Sequence, residues 1–156
     1  MTTVHFVGAG RMGLPMVERL VSNGHDVQAL ARNEETRSAL ESAGARPVAD
    51  ISGIGDGADI VAVCVFTDAQ VRQVCLDDGV LARMPQGSTL IVHTTISPRS
   101  IETLTAEAAP YGVSVVDAAV SGGPHDIAAG ALTLFVGGPD EAVSAVSSFY
   151  LEAMAD

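Results

Sequence analysis

The chain has 156 residues, 47% of them hydrophobic, which bounds it to one domain of ordinary size and provides enough apolar side chain to exclude a disordered segment. Nineteen acidic residues against eight basic ones give a formal net charge of −11, a field that repels phosphates and so excludes nucleic acid and anionic membrane as partners. Any phosphate ligand must therefore bind locally, at a helix N-terminus or an isolated arginine. All eight basic residues are arginine; there is no lysine.

Apolar runs of strand length alternate with amphipathic stretches, the pattern of parallel β-α-β units. Val4–Val7 reads as the first strand, ended by Gly8. A helix follows from about Met12 to Ser22, with Gly13, Met16, Val17, Leu20 and Val21 on one buried face. Pro15 is tolerated there because it falls in the first turn, and Asn23-Gly24 supplies the stop. Val27–Leu30 is the second strand, Glu34–Ala43 a helix stopped by Gly44, and Arg46–Val48 a short third strand. Ile60–Val65 is a continuous apolar, β-branched run, as a central strand covered on both faces requires. A helix is expected near Asp68–Cys75, a strand at Thr89–His93 after the Pro85-Gln86-Gly87 turn, and a helix opened by Ser97-Pro98 and ending near Ala109. Val113–Asp117 and Leu132–Val136 are strands separated by a glycine-rich loop, and a last helix starts at Pro139 or Asp140. The whole describes one α/β domain over residues 1–156, a Rossmann-type doubly wound, mostly parallel sheet with helices on both faces.

Cys64 and Cys75 fall in a strand pattern and a helical pattern and read as buried thiols in a reducing compartment, with neither a disulfide framework nor a metal spacing. The chain opens directly on a strand, without the basic and apolar segments of a signal peptide, and no apolar run reaches membrane-spanning length. A cytoplasmic protein is the expectation.

Gly8-Ala9-Gly10-Arg11-Met12-Gly13 is a GxGxxG string between an apolar strand and an amphipathic helix. The glycines serve a tight turn, close approach of a pyrophosphate to the backbone, and close helix–strand packing, while the N–H groups of the helix start face the anion. The strand–turn–helix setting favours a dinucleotide over a merely structural turn. Where an NAD site usually places Asp or Glu, at the end of the second strand, this chain reads Leu30-Ala31-Arg32-Asn33. Arg32 offers a planar cation for a ribose 2′-phosphate, which favours NADP(H) over NAD(H), although Glu34 or Glu35 is close enough in sequence to reach a ribose. Ser121-Gly122-Gly123 at the end of a strand offers a hydroxyl and bare N–H groups to a small carboxylate substrate; a flexible loop is the competing reading.

Gly8 to Met16 resembles the N-terminal signature of the β-hydroxyacid dehydrogenases, and Asp117-Ala118-Ala119-Val120-Ser121-Gly122-Gly123-Pro124 with Ala129 to Leu134 resembles that family's substrate-binding stretch. The family takes in 3-hydroxyisobutyrate dehydrogenase and the NADP-binding domain of 6-phosphogluconate dehydrogenase, with imine reductases as relatives. Ala119 stands where relatives often have proline. The resemblance implies that Val65-Phe66-Thr67 lies against the adenosine side of the cofactor and that the Thr94-Thr95 turn lies near the nicotinamide ribose. It further implies hydride transfer to or from a small 3-hydroxy or oxo acid, an acid/base lysine just beyond the Rossmann domain, and an all-helical C-terminal domain that forms a homodimer in the full-length protein.

No lysine is present to fill that role, so no residue of this chain is assigned as acid/base, and the chain is expected to be the cofactor-binding half of a longer protein. His125, after the Ser-Gly-Gly segment, is the in-chain candidate, although polar surface is the simpler reading. His5, His25 and His93 show no metal spacing, and Asp117 reads as a strand-end anchor. An imine-reductase-like enzyme and a non-catalytic NADPH-binding module are the alternatives.

Overall fold

The computed structural model describes residues 2–155, which form one seven-stranded sheet with helices on both faces. The strands are β1 (Thr3–Val7), β2 (Asp26–Leu30), β3 (Arg46–Val48), β4 (Ile60–Val63), β5 (Thr89–Val92), β6 (Ser114–Ser121) and β7 (Thr133–Gly137). The helices are α1 (Gly13–Ser22), α2 (Glu34–Ala43), α3 (Asp68–Arg72), α4 (Val80–Arg83), α5 (Pro98–Ala108), α6 (Pro124–Ala128), α7 (Asp140–Val146) and α8 (Glu152–Ala155). Spatial order is β3-β2-β1-β4-β5-β6-β7, parallel throughout except for the antiparallel β6–β7 pair. This is the doubly wound order, and the chain reverses its winding direction between β1 and β4.

The unbroken apolar runs of β4 and β5 follow from burial on both sides. In β4, Ile60 and Ala62 pack into the core shared by α1, α2 and the C-terminal helices, while Val61 and Val63 face the core under α3, α4 and α5. In β5, Ile91 points to the first layer and Leu90 and Val92 to the second. Period-two alternation therefore exists, but both faces are dry, so β4 shows no polar position and β5 only the buried Thr89 at its start.

Helix ends use local chemistry the sequence carries. The Asn33 side chain accepts from the Thr36 N–H, Ser97 accepts from the Ser100 N–H with Pro98 behind it, and Gly44 closes α2 in a left-handed conformation. Helix α1, like α4 and α7, has no side-chain cap at its N-terminus, and its Leu14 N–H bonds back to the Gly10 carbonyl at 2.9 Å.

Several expected boundaries move. β4 stops at Val63 and not Val65, because the Cys64 N–H still bonds to Val7 but the Val65 N–H goes to the Thr94 hydroxyl, outside the sheet. His93 lies just past β5. β6 continues four residues beyond Asp117, since β7 supplies a ladder as far as Ser121↔Thr133, despite the low strand preference of Ala118-Ala119. The loop expected between β6 and β7 contains the single turn α6. Both helices expected as continuous, near Asp68–Cys75 and at the C-terminus, carry π turns, at Gln73–Asp77 and Ser147–Leu151. Of the two cysteines, Cys75 is buried as expected, whereas Cys64 is only partly covered and lines a cleft.

Candidate functional site

A cleft of about 660 Å³ opens at the carboxyl ends of β1, β2 and β4, at the point where the winding reverses. Its floor is the segment Gly8–Gly13; Arg32, Asn33 and Thr36 form one wall, and Cys64, Val65, Phe66 and Gln70 the other. Gly8 adopts φ +104°, a left-handed conformation, and a Cβ there would run into the carbonyl oxygen of Cys64. A Cβ on Gly13 would meet the carbonyl of Gly8, so this glycine allows α1 to seat directly on the end of β1. Gly10 is different. Nothing lies within 4 Å of the Cβ it lacks, so the protein's own packing does not require a glycine there. The open space sits in front of the uncapped start of α1, where N–H dipoles favour an anion. The residues present thus fit a pyrophosphate.

The electrostatics agree with this fit. Among the described residues lining the cleft the charged ones are Arg11 and Arg32, with no carboxylate, in a chain of net charge −11. Burial pushes the Cys64 thiol up to about 11, so it is neutral. Arg32 is exposed and takes part in neither of the two ion pairs found among the described residues, Arg37–Glu41 and Arg46–Asp26. Beyond Arg32 a second hollow of about 470 Å³ is lined by Ala49, Asp50, Ile51, Gln73 and Asp78. Each of these acids already has one oxygen engaged, Asp50 by the Ser52 N–H and Asp78 by the Gln73 amide.

Nine of the residues singled out in the sequence therefore meet in one cleft: Gly8, Ala9, Gly10, Arg11, Met12, Gly13, Arg32, Val65 and Phe66. Thr67 is absent from the lining; its hydroxyl accepts from the Gln70 N–H, while Gln70 accepts from the N–H groups of Phe66 and Thr67. This capping box fixes the turn that holds the Phe66 ring outward, 90% exposed at the cleft's rim. Thr95 is exposed on the turn after β5 and does not line the cleft. Glu34 and Glu35 lie in the first turn of α2, outside the lining.

Ser121 and Gly122 are exposed at the end of β6, whereas Gly123 does not present a bare N–H: it donates to the Asp126 carboxylate at 2.8 Å. His125 is exposed on α6 and away from the cleft lining. Burial raises the Asp117 carboxyl above its ordinary value. Asn33, Thr36 and Gln70 were not expected in the cleft; Asn33 could have been found as the cap before Glu34, and Gln70 from the Thr-x-x-Gln spacing. His93 pairs with Tyr150, 57 residues away, and no local signal marks it. No group of three or more metal-ligating side chains occurs among the described residues. No helix among them is long and apolar enough to cross a membrane.

Comparison with known proteins bears directly on this cleft. Residues 3–156 match the family described as the NAD binding domain of 6-phosphogluconate dehydrogenase. The chain is 34% identical, over 99% of its own length and 52% of the relative's, to an NAD-dependent L-serine dehydrogenase of Pseudomonas aeruginosa. Among solved structures it is similar to Mycobacterium tuberculosis 3-hydroxyisobutyrate dehydrogenase with L-serine, at a TM-score of 0.90 and 32% identity, covering 99% of this chain and 52% of that one. It is also similar to Psf3 in complex with NADP+ and 2-OPP, at a TM-score of 0.88 and 30% identity, covering 97% and 54%. The chain spans about half the length of the curated relatives it matches. It belongs to the family of the NAD binding domain of 6-phosphogluconate dehydrogenase, a β-hydroxyacid-dehydrogenase-like domain for a nicotinamide nucleotide.

Proposed function

We propose that this chain is the cofactor-binding half of an NADP(H)-dependent oxidoreductase acting on a small hydroxy or oxo acid. The observation that carries the reading is the cleft itself, lined by two arginines and no carboxylate within an acidic protein. The first turn of α1 binds the pyrophosphate through its N–H groups, with Gly10 leaving room for close approach. Arg32, at the lip beyond β2, pairs with a 2′-phosphate that NADH lacks, and Phe66 offers an exposed ring to the adenosine side. The nicotinamide, when bound, donates or accepts the hydride.

Ser121 and the Gly122 N–H orient the acid's carboxylate at the end of β6, while Asp126 holds the loop by accepting from Gly123. His125, exposed on α6 just after the Ser121-Gly122-Gly123 segment, is the in-chain candidate for acid/base. The chain contains no lysine, so the family's acid/base group is assigned to no residue here. That group and an all-helical partner domain fall to the portion of the relatives' length that this chain does not span.

Fluorescence titrations of the purified chain with NADPH and NADH test the reading. Saturable binding preferring NADPH is expected, with Arg32→Ala lowering NADPH affinity by about tenfold or more and changing NADH affinity by no more than about twofold. A preference for NADH in the unaltered chain would overturn the role given to Arg32.

A further inference from the structure

His93 and Tyr150 form a wholly buried polar pair that the cofactor cleft does not itself use. His93 follows β5 and ties together three elements. Its backbone N–H donates to Val63 of β4 at 2.8 Å, its Nδ1 lies 2.9 Å from the Ala118 carbonyl of β6, and its Nε2 lies 2.8 Å from the Tyr150 hydroxyl. A carbonyl only accepts, so Nδ1 carries the proton; Nε2 is then the acceptor, and the Tyr150 O–H donates to it. The two rings stack with centroids 5.7 Å apart and planes at 15°. Relative exposure is 1% for His93 and 0% for Tyr150, so each polar atom depends on its single partner and the arrangement has no slack.

The position of this pair gives it a consequence. The β5–β6 ladder ends at Val92↔Asp117, and the His93 side chain takes the next carbonyl along β6, three residues before Ser121. The following residue, Thr94, accepts from the Val65 N–H at 2.9 Å and so joins the same turn to a wall of the cleft. A dinucleotide in a doubly wound sheet crosses the point where the winding reverses. With Arg32 at the end of β2 and the pyrophosphate at α1, the second nucleoside extends over the ends of β4 and β5, where the Thr94-Thr95 turn stands.

We infer that His93, fixed in one tautomer by the Ala118 carbonyl and held in place by the Tyr150 hydroxyl, is a positioning residue for the nicotinamide half of the cofactor, holding the Thr94-Thr95 turn between the cleft wall and β6. The inference rests on the dinucleotide reading of the cleft. A merely structural pair would matter equally for every ligand. A positioning pair matters for the nicotinamide end alone.

The test compares the purified full chain with its Tyr150→Phe and His93→Gln variants, each titrated with NADPH and with adenosine 2′,5′-bisphosphate, which lacks both the nicotinamide and its ribose. Tyr150→Phe removes one oxygen and keeps the ring, so it carries the test if His93→Gln does not fold. The unaltered chain is expected to bind both ligands, and the variants to lose about fivefold to tenfold for NADPH while staying within about twofold for the fragment. Nitrogen-15 NMR of the imidazole is expected to show Nδ1 protonated. Equal weakening for both ligands, no weakening for either, or an Nε2-protonated ring overturns the inference. An unaltered chain that binds neither ligand overturns the dinucleotide reading, and the inference with it.

Discussion

Gly8 lies so close against Cys64 that no side chain fits between its Cα and that residue's carbonyl oxygen. The contact joins the end of β1 to the residue after β4 and fixes the floor of the cleft. It also separates the three glycines of the motif by purpose. Gly8, at φ +104°, and Gly13, against the Gly8 carbonyl, are required by the fold, whereas Gly10 faces open space. Gly8→Ala is expected to destabilise by about 3 kcal/mol or more, from backbone strain and overpacking together. Gly10→Ala is expected to hold its melting temperature within about 3 °C while losing NADPH affinity by about tenfold or more. Thermal melts beside nucleotide titrations check both; an unstable Gly10→Ala would assign that glycine to structure.

The turn after β4 makes a second contrast. Thr67→Ala removes the hydroxyl cap of α3 but leaves the Gln70 side chain on the Phe66 and Thr67 N–H groups, so it is expected to cost about 1 kcal/mol in urea denaturation with NADPH affinity changed by no more than about twofold. Phe66→Ala exposes nothing new, since the ring is already 90% exposed, and is expected to leave stability unchanged and weaken NADPH. The opposite assignment of the two effects would remove Phe66 from the binding surface.

Acid sensitivity follows from His93. Burial lowers its pKa from 6.5 to about 4, the bond to Ala118 opposing this slightly, so the folded state holds the ring neutral. Tyr150, stacked on it, is likewise neutral, its acidity suppressed by burial and by the neighbouring Cys64. The unfolded chain takes up a proton below about pH 6.5 and the folded one does not, so stability is full above that pH and falls towards pH 4. Across that window the loss is about 3 kcal/mol. His5, whose pKa burial also lowers, adds in the same direction. Urea denaturation at pH 7.5 and pH 5 measures the slope, and His93→Gln is expected to flatten it; an unchanged slope would place the acid sensitivity elsewhere.

The thiols are expected to be unreactive despite the position of Cys64 on the cleft. Burial pushes Cys64 up to about 11 and Cys75 up to about 12, leaving almost no thiolate at pH 8. Iodoacetamide should alkylate neither in the native protein over an hour and both once urea is added. Rapid native labelling of Cys64 would show that its side of the cleft opens.

The amino-acid sequence by itself determined the strand–helix alternation, the glycine turn with its helix, and the arginine after β2, because each is local: a period of apolar residues, a motif of six positions, a neighbour to a strand end. It also carried the caps at Asn33 and Thr67 in their spacing to the following helices. Tertiary structure alone decided the remainder. β4 ends at Val63 and β6 runs to Ser121 because a strand extends only as far as its neighbours supply hydrogen bonds, which no residue's own preference encodes. Asp126 takes the Gly123 N–H that the sequence alone leaves bare, and Tyr150 reaches His93 across 57 residues. A buried polar atom must find a partner wherever the fold brings one, so such pairs are fixed by the packing of distant segments and leave no trace in local sequence.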